Sequence, residues 1–319
     1  MMSNNAQHNV NEGVYVTLDE LMKFSYLAKG FSFLPSQPVH SILSGRNASK
    51  MRGRGMDFSE MKQYVQGDDP RSMDWKATRR TGKPYIRVFN EERDRSVWLV
   101  VSQRNSMFFG SEMMMKSVSA AHLAALTAFK VLDSGDRVGA VIYNDEKLSF
   151  FKAGRAKQGV MQMLSELTVQ NQALKASNSK NENTQLNEAL KIITATAKHD
   201  DLIILIGDGM AVDKVSAKYI TTLASHNDVI ATLIYDPMEK ELTKSASLFF
   251  SDGKDAVDVN SNDKNFQKRF KEMLEERANT LTKLATQHAI PLLKISTHRA
   301  VLEQVLEQLG RAASNKRNF

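Results

Sequence analysis

The sequence predicts an α/β protein: a mostly parallel sheet with helices on both faces, preceded by a small irregular, β-rich N-terminal region. Three observations carry this. From residue 96 onward, short apolar runs alternate with amphipathic stretches of helical period, the pattern of strands covered on both faces by crossover helices. Apolar residues make up 42% of the 319, enough for a substantial core. From Gly30 to about Arg95 the chain is instead punctuated by Gly and Pro and dense in charge.

The elements follow in order. Residues 1–13 are polar and read as a disordered start. Thr17–Lys29 reads as a helix with Thr17 as its cap and Leu18, Leu21, Met22, Tyr26 and Leu27 on one face. Ser44–Arg95 carries 13 Lys and Arg against 8 Asp and Glu, so +5 of the chain's net +7 lies in a sixth of its length. Val97–Ser102 reads as a buried strand and Met113–Leu132 as a long helix, with Met114, Val118, Ala121, Ala124 and Leu126 among its apolar positions. Arg137–Tyr143 is the next strand, with Lys147–Lys152 pairing beside it. Helix Gly159–Leu167, a polar loop over 170–183, helix Leu186–Ala197 and strand Leu202–Ile206 come next. Helix Ala211–Ser225, strand Val229–Tyr235 and a hairpin over Phe249–Val259 follow. Helix Asn265–His288, strand Leu292–Ile295 and helix Ala300–Leu309 complete the order. These readings divide the chain into a disordered start (1–13), an N-terminal helix with the charged region (14–95), an α/β domain (96–312) and a flexible tail (313–319).

Composition excludes several chemistries. Cysteine is absent, which removes disulfides, thiolate zinc sites and cysteine nucleophiles and fits a reducing compartment. No apolar run approaches the roughly 20 residues that span a bilayer. The first residues, MMSNNAQHNVNEG, lack a basic stretch followed by an apolar one, so no secretory signal is read and the cytoplasm is the expected location. No Walker lysine motif and no G-x-G-x-x-G follows a strand. Gly53-Arg54-Gly55 only hints at a phosphate-binding turn, and none of the seven histidines stands at a catalytic spacing; His122, inside a helix, reads as a packed or capping residue.

One segment is far more specific. It runs Ser44-Gly45, Ser49, Gly53, Gly55, Asp57-Phe58, Lys62, Tyr64, then Gly67-Asp68-Asp69-Pro70-Arg71, Met73-Asp74-Trp75-Lys76-Ala77-Thr78, Arg80-Thr81 and Glu91-Glu92-Arg93. This resembles the signature of the DUF58 family, whose body is similar to a von Willebrand factor A domain. Two positions depart from it: Asn47 stands where the family often has His, and Asp57 where it usually has Glu. Physically, Gly67 permits positive φ, Asp68 or Asp69 can cap the following turn, and Pro70 presets φ for a first helical position. Asp74 with Arg71, Arg79, Arg80, Arg87 and Arg93 reads as a charge network, and Trp75 and Phe58 as packing anchors. The alternatives are a recognition surface for an acidic partner and, less favoured, a hydrolytic metal cluster of Asp68, Asp69 and Asp74, which lacks a nucleophile and a base.

The resemblance also implies a place for a metal. A domains commonly bind Mg²⁺ with an Asp-x-Ser-x-Ser loop after the first strand, a Thr, and an Asp after a later strand, a set of hard oxygen ligands. Here the loop reads Ser102-Gln103-Arg104-Asn105-Ser106. Ser102 replaces the leading Asp, Arg104 replaces the first Ser, and Ser106, Thr184 and Asp208 match the remaining ligands. No cofactor is expected, Mg²⁺ being disfavoured. Arg104 is expected either to pair with Asp208 as a fixed cation or to turn outward from a degenerate loop. Met107, Met113, Met114 and Met115 fall near the same sheet end and read as core filling more than as an adaptable face, and Phe108-Phe109-Gly110 as its lining.

The resemblance implies a non-enzymatic interaction module, an adaptor or substrate-presenting partner of a MoxR-type AAA+ ATPase in the maturation or remodelling of complexes. Its contact rim is expected at the C-terminal ends of the strands, over Ser102–Phe109, Thr184 and Asp208–Met210. The alternative is a nucleic-acid-binding protein using the basic N-terminal region, which eight interleaved acidic residues disfavour.

Overall fold

The computed structural model describes residues 13–28, 57–90, 95–175, 184–240, 248–251, 256–259 and 280–314. The expected disordered start up to residue 12, Gly53-Arg54-Gly55, Arg93, most of the expected helix Asn265–His288 and residues 315–319 of the expected tail lie outside them, as do the side chains of Phe58 and Thr184. The chain forms two units, one of residues 44–94 and one of residues 1–43 and 95–319.

The larger unit is built on six strands. These are β3 (Ser96–Ser102), β4 (Arg137–Tyr143), β5 (Leu148–Gly154), β6 (Leu202–Ile206), β7 (Asp228–Tyr235) and β10 (Leu292–Ser296), in the order β10-β7-β6-β3-β4-β5. All neighbours are parallel except β4 and β5. A separate two-stranded ladder pairs β8 (Leu248–Ser251) with β9 (Ala256–Val259).

Strand side chains alternate between two cores. Val97, Leu99 and Val101 with Ala140, Ile142, Ile204 and Ile206 face one side. Trp98 and Val100 with Val141, Tyr143 and Ile203 face the other. Both faces are apolar because both are covered, which is why these strands read as unbroken hydrophobic runs. The first face packs under α3 (Lys116–Asp133), α4 (Lys157–Gln172) and α9 (Val301–Ser314). The second packs under α5 (Thr184–Thr196), α6 (Lys214–His226) and the helix α8 over 280–287.

The first helix, α1 (Leu18–Leu27), joins the first core through Val16, Leu21, Phe24 and Ala28. It therefore belongs with the α/β unit and not with the charged region that follows it in sequence. Its Thr17 and Glu20 form a reciprocal capping box. The expected face is corrected at one end: Leu18, Leu21 and Met22 pack inward, but Tyr26 and Leu27 are exposed and Phe24 takes the inner position. Phe24 lies three residues after Leu21, on the same side of the helix, and its ring meets that of His122 of α3 at a tilt of 45° with centroids 4.9 Å apart.

The smaller unit pairs β1 (Asp57–Gln63) antiparallel with β2 (Tyr85–Asn90). Gly67 sits at φ 107°, and Asp69 caps a 3₁₀ turn over Pro70–Ser72 by accepting from Arg71 N at 2.9 Å. Asp74 caps α2 (Trp75–Thr81), which Gly82 ends at φ 70°. Asp74 also accepts from Arg87 Nε at 2.7 Å, and Asp68 pairs with Lys62 at 3.2 Å. Of the expected arginines among the described residues, Arg87 is the one that meets Asp74, and the Lys62–Asp68 pair lies outside the expected network; Trp75 is no packing anchor, being 71% exposed. The reason is helical geometry. Ala77 supplies the buried face of α2, and a residue two positions away points elsewhere.

Candidate functional site

Five parallel strands bring their C-terminal ends to one rim. The strand order reverses at β3, whose neighbours β4 and β6 carry the chain in opposite directions across the sheet, and ligands of open α/β sheets bind outside the strand ends at such a point. The loop after β3 (103–115), the β4–β5 turn (144–147), the loop after β6 (207–213) and the short helix α7 (Pro237–Lys240) after β7 meet there.

Each expected site residue has a definite place. Ser102, buried at the end of β3, stands opposite Tyr143 at the end of β4. Burial pushes the Tyr143 phenol up to about 12, so it stays neutral. Gly207 lets β6 close against β3, since a methyl there would lie 3.2 Å from Ser102 Cβ. Arg104 is buried, and its Nε donates to Asp145 Oδ1 at 2.7 Å, while Asn105 N donates to Asp145 Oδ2 at 2.6 Å. The expectation that Arg104 pairs with Asp208, or else turns outward, is therefore corrected: the guanidinium turns inward, to the β4–β5 turn. Ser106 lies in the 3₁₀ turn Asn105–Met107, its buried Oγ without a hydrogen-bond partner. Thr184 opens α5.

Asp208 meets a different cation. Its Oδ1 accepts from Met210 N at 3.0 Å, and its Oδ2 accepts from Lys116 Nζ at 3.3 Å. Lys116 is the first residue of α3 and fully buried. Its ammonium also donates to Glu239 Oε1 of α7 at 2.5 Å and lies 5.8 Å from the Phe109 ring centroid. Burial pulls the Lys116 pKa down, but Asp208 and Glu239 together outweigh it, and the net shift is upward. The ammonium is charged.

A second carboxylate anchors the loop. Asp236, fully buried after β7, accepts from Ser111 N at 2.8 Å, Ser111 Oγ at 2.7 Å, Thr297 Oγ1 at 2.6 Å and Met238 N at 2.9 Å. Glu239 Oε2 in turn accepts from Asp236 N at 3.0 Å. At the other end of the loop, Gln103 donates to Ser117 O and accepts from Asn171 Nδ2 at 3.0 Å. Of the methionines, Met107 and Met114 fill the core while Met113 is 51% exposed.

These residues do not fit a divalent metal. Mg²⁺ needs near-octahedral oxygen ligands around an open centre. Here the Asp208 carboxylate is held by an ammonium and an amide, and a guanidinium is buried in the same loop. Lys116, Asp145, Asp236 and Glu239 were not anticipated from sequence. Lys116 carried a signal all the same: it is a charged residue opening an otherwise apolar run, at the helix end where the macrodipole disfavours a cation.

Comparison with known proteins follows this geometry. The family model described as "Protein of unknown function DUF58" matches residues 60–280. Uncharacterized proteins of Mycobacterium bovis and Mycobacterium tuberculosis are 26% identical over 221 residues, 69% of this chain and 68% of theirs. Among solved structures, the conserved hypothetical protein BatB from Bacteroides thetaiotaomicron is similar with a TM-score of 0.38 at 12% identity, over 69% of this chain and 99% of that one. The SpRpn10 VWA domain gives 0.36 at 9% identity, over 68% and 95%. A von Willebrand factor type A protein from Catenulispora acidiphila gives 0.37 at 13%, over 72% and 43%. With its model matched across more than half of the chain, this protein belongs to the DUF58 family.

Proposed function

We propose that the chain is a non-enzymatic protein-interaction module whose contact surface is the rim at the C-terminal strand ends, and that its partner is a MoxR-type AAA+ ATPase, to which it acts as adaptor or substrate presenter. One observation carries the reading of the rim: its buried cations are committed internally, Arg104 to Asp145 and Lys116 to Asp208 and Glu239. A catalytic site needs a nucleophile poised against a base with unspent capacity. Here Ser102 stands opposite a neutral phenol, and the carboxylate that Ser111 meets, Asp236, also accepts from Thr297 Oγ1 and Met238 N. The same loop carries exposed Met113 and half-buried Phe108 and Phe109, the last over the Lys116 ammonium, and apolar side chains above a fixed charge suit an interface centre. The ATPase partner rests on the family resemblance alone, an associational warrant.

The test is direct binding to the MoxR-type ATPase of the same organism in ATP and Mg²⁺. Met113→Glu should weaken binding about tenfold or more, which is about 1.4 kcal/mol. Lys198→Glu, exposed before β6 at the opposite sheet end, should leave it unchanged. Equal losses from both variants would mean that the rim is not the contact.

A second reading has one observation behind it. Trp75 is exposed on α2 beside exposed Lys76, Arg79 and Arg80, a combination of stacking surface and phosphate-binding charge suited to single-stranded nucleic acid. Binding to an oligonucleotide that weakens steeply with salt and is lost in Trp75→Ala would put this surface ahead of the rim.

A further inference from the structure

We propose that the Lys116 ammonium is the resident cation of the rim: it holds Asp208 and Glu239 together permanently, as a divalent metal would do reversibly, and the two carboxylates take up a divalent cation once it is removed.

Three features of its placement point this way. Lys116 opens an 18-residue helix without a side-chain cap, where the helix macrodipole repels a positive charge. It is fully buried, which alone disfavours an ammonium. And two carboxylates from different strand ends, Asp208 after β6 and Glu239 after β7, converge on Nζ at 3.3 and 2.5 Å. Neither helix nor core tolerates a lone cation there, so its position is set by the carboxylates. Those carboxylates need it equally: with side chains 6% and 14% exposed, they would repel each other across a low-dielectric gap without a charge between them. A mobile metal would satisfy that need reversibly, whereas a covalently tethered ammonium satisfies it always, so the rim keeps its charge and shape in a chelator. This follows from the geometry of the three side chains and is independent of which partner binds the rim.

The full chain is tested by thermal unfolding in EDTA and in millimolar Mn²⁺, with Mn²⁺ binding followed by electron paramagnetic resonance. The wild type should melt at the same temperature in both media and bind no Mn²⁺ at micromolar concentration. Lys116→Ala should melt about 10 °C lower in EDTA and regain part of the loss in Mn²⁺. Adding Asp208→Asn should abolish that gain. Micromolar Mn²⁺ binding by the wild type that Asp208→Asn removes would overturn the proposal, as would a Lys116→Ala variant that is neither destabilised nor responsive to Mn²⁺. Should Lys116→Ala remain unfolded in both media, Lys116→Met/Glu239→Gln decides. It keeps the stem volume and the site's net charge, so recovery of the fold supports charge compensation and failure to fold overturns it.

Discussion

Asp236 shows what a single buried carboxylate does for the rim. Burial works against its charge, but the hydroxyls of Thr297 and Ser111 and the amides of Ser111 and Met238 outweigh burial and hold its pKa below the usual value. A folded-state pKa depressed below the unfolded value of about 3.9 adds stability at every pH above that value and loses it as pH falls through the folded one. Asp236→Asn, which turns an amide NH₂ toward some of these donors, should cost about 1–3 kcal/mol at neutral pH. It should also flatten the acid limb of the stability curve below about pH 4, measured by urea unfolding across pH; an unchanged acid limb would show that the carboxylate titrates alike in both states. The positions of Ser102, Arg104, Ser106 and Asp208 at strand ends were legible in the sequence, because strand periodicity locates the ends. Their partners were not. Asp145 stands 41 residues from Arg104, and Glu239 stands 123 from Lys116. Nothing in a linear pattern says which of many carboxylates a given cation meets when sheet order alone brings them together.

At the scale of elements, close fits explain residues that propensity does not. Gly139 lies opposite Trp98 in the β3–β4 pair, and a methyl there would sit 2.5 Å from the indole ring and 2.8 Å from Ala153 N. The missing side chain gives the indole room beside Phe150 of β5, ring centroids 5.9 Å apart, with Nε1 donating to Asp201 Oδ2 at 3.0 Å. Gly139→Ala should therefore cost about 1–3 kcal/mol by overpacking and shift the Trp98 fluorescence, read in a Trp75→Phe background; full stability with an unmoved emission would mean that β4 shifts freely. Element type was legible wherever both faces of a strand are apolar, and β3, β4, β6 and β7 begin and end within a residue of the expected bounds. Helix starts were less so. α3 begins at Lys116 and not at Met113, because Met113–Met115 are held in the loop, Met115 N donating to Gly13 O at 2.7 Å. That contact spans some hundred residues, and no local signal records it.

The division of the whole molecule into two units has a thermodynamic consequence. The larger unit buries continuous cores on both faces of its sheet. In residues 44–94, the buried apolar side chains among those described are Ala77 and Ile86, and order rests largely on turns, on the caps by Asp69 and Asp74 and on one two-stranded ladder. A ladder of two strands is marginal alone, and burial is the dominant favourable term. Opening of the smaller unit should therefore cost less than global unfolding. Amide hydrogen exchange should show β1 and β2 exchanging through an opening that leaves β3, β4 and β6 protected, the behaviour of separate cooperative units. Asp74 sets a handle on that opening. Its carboxyl is held below the usual range by the Ala77 amide first and by Arg87 next, so its contribution is present above the unfolded value and fades as pH falls through the folded one. Asp74→Ala should then speed exchange in β1 and β2 and leave the central strands unchanged. If β1 and β2 instead exchange only with β3 at the global rate, the two units unfold as one cooperative body, and the lower opening cost argued for the smaller one is wrong.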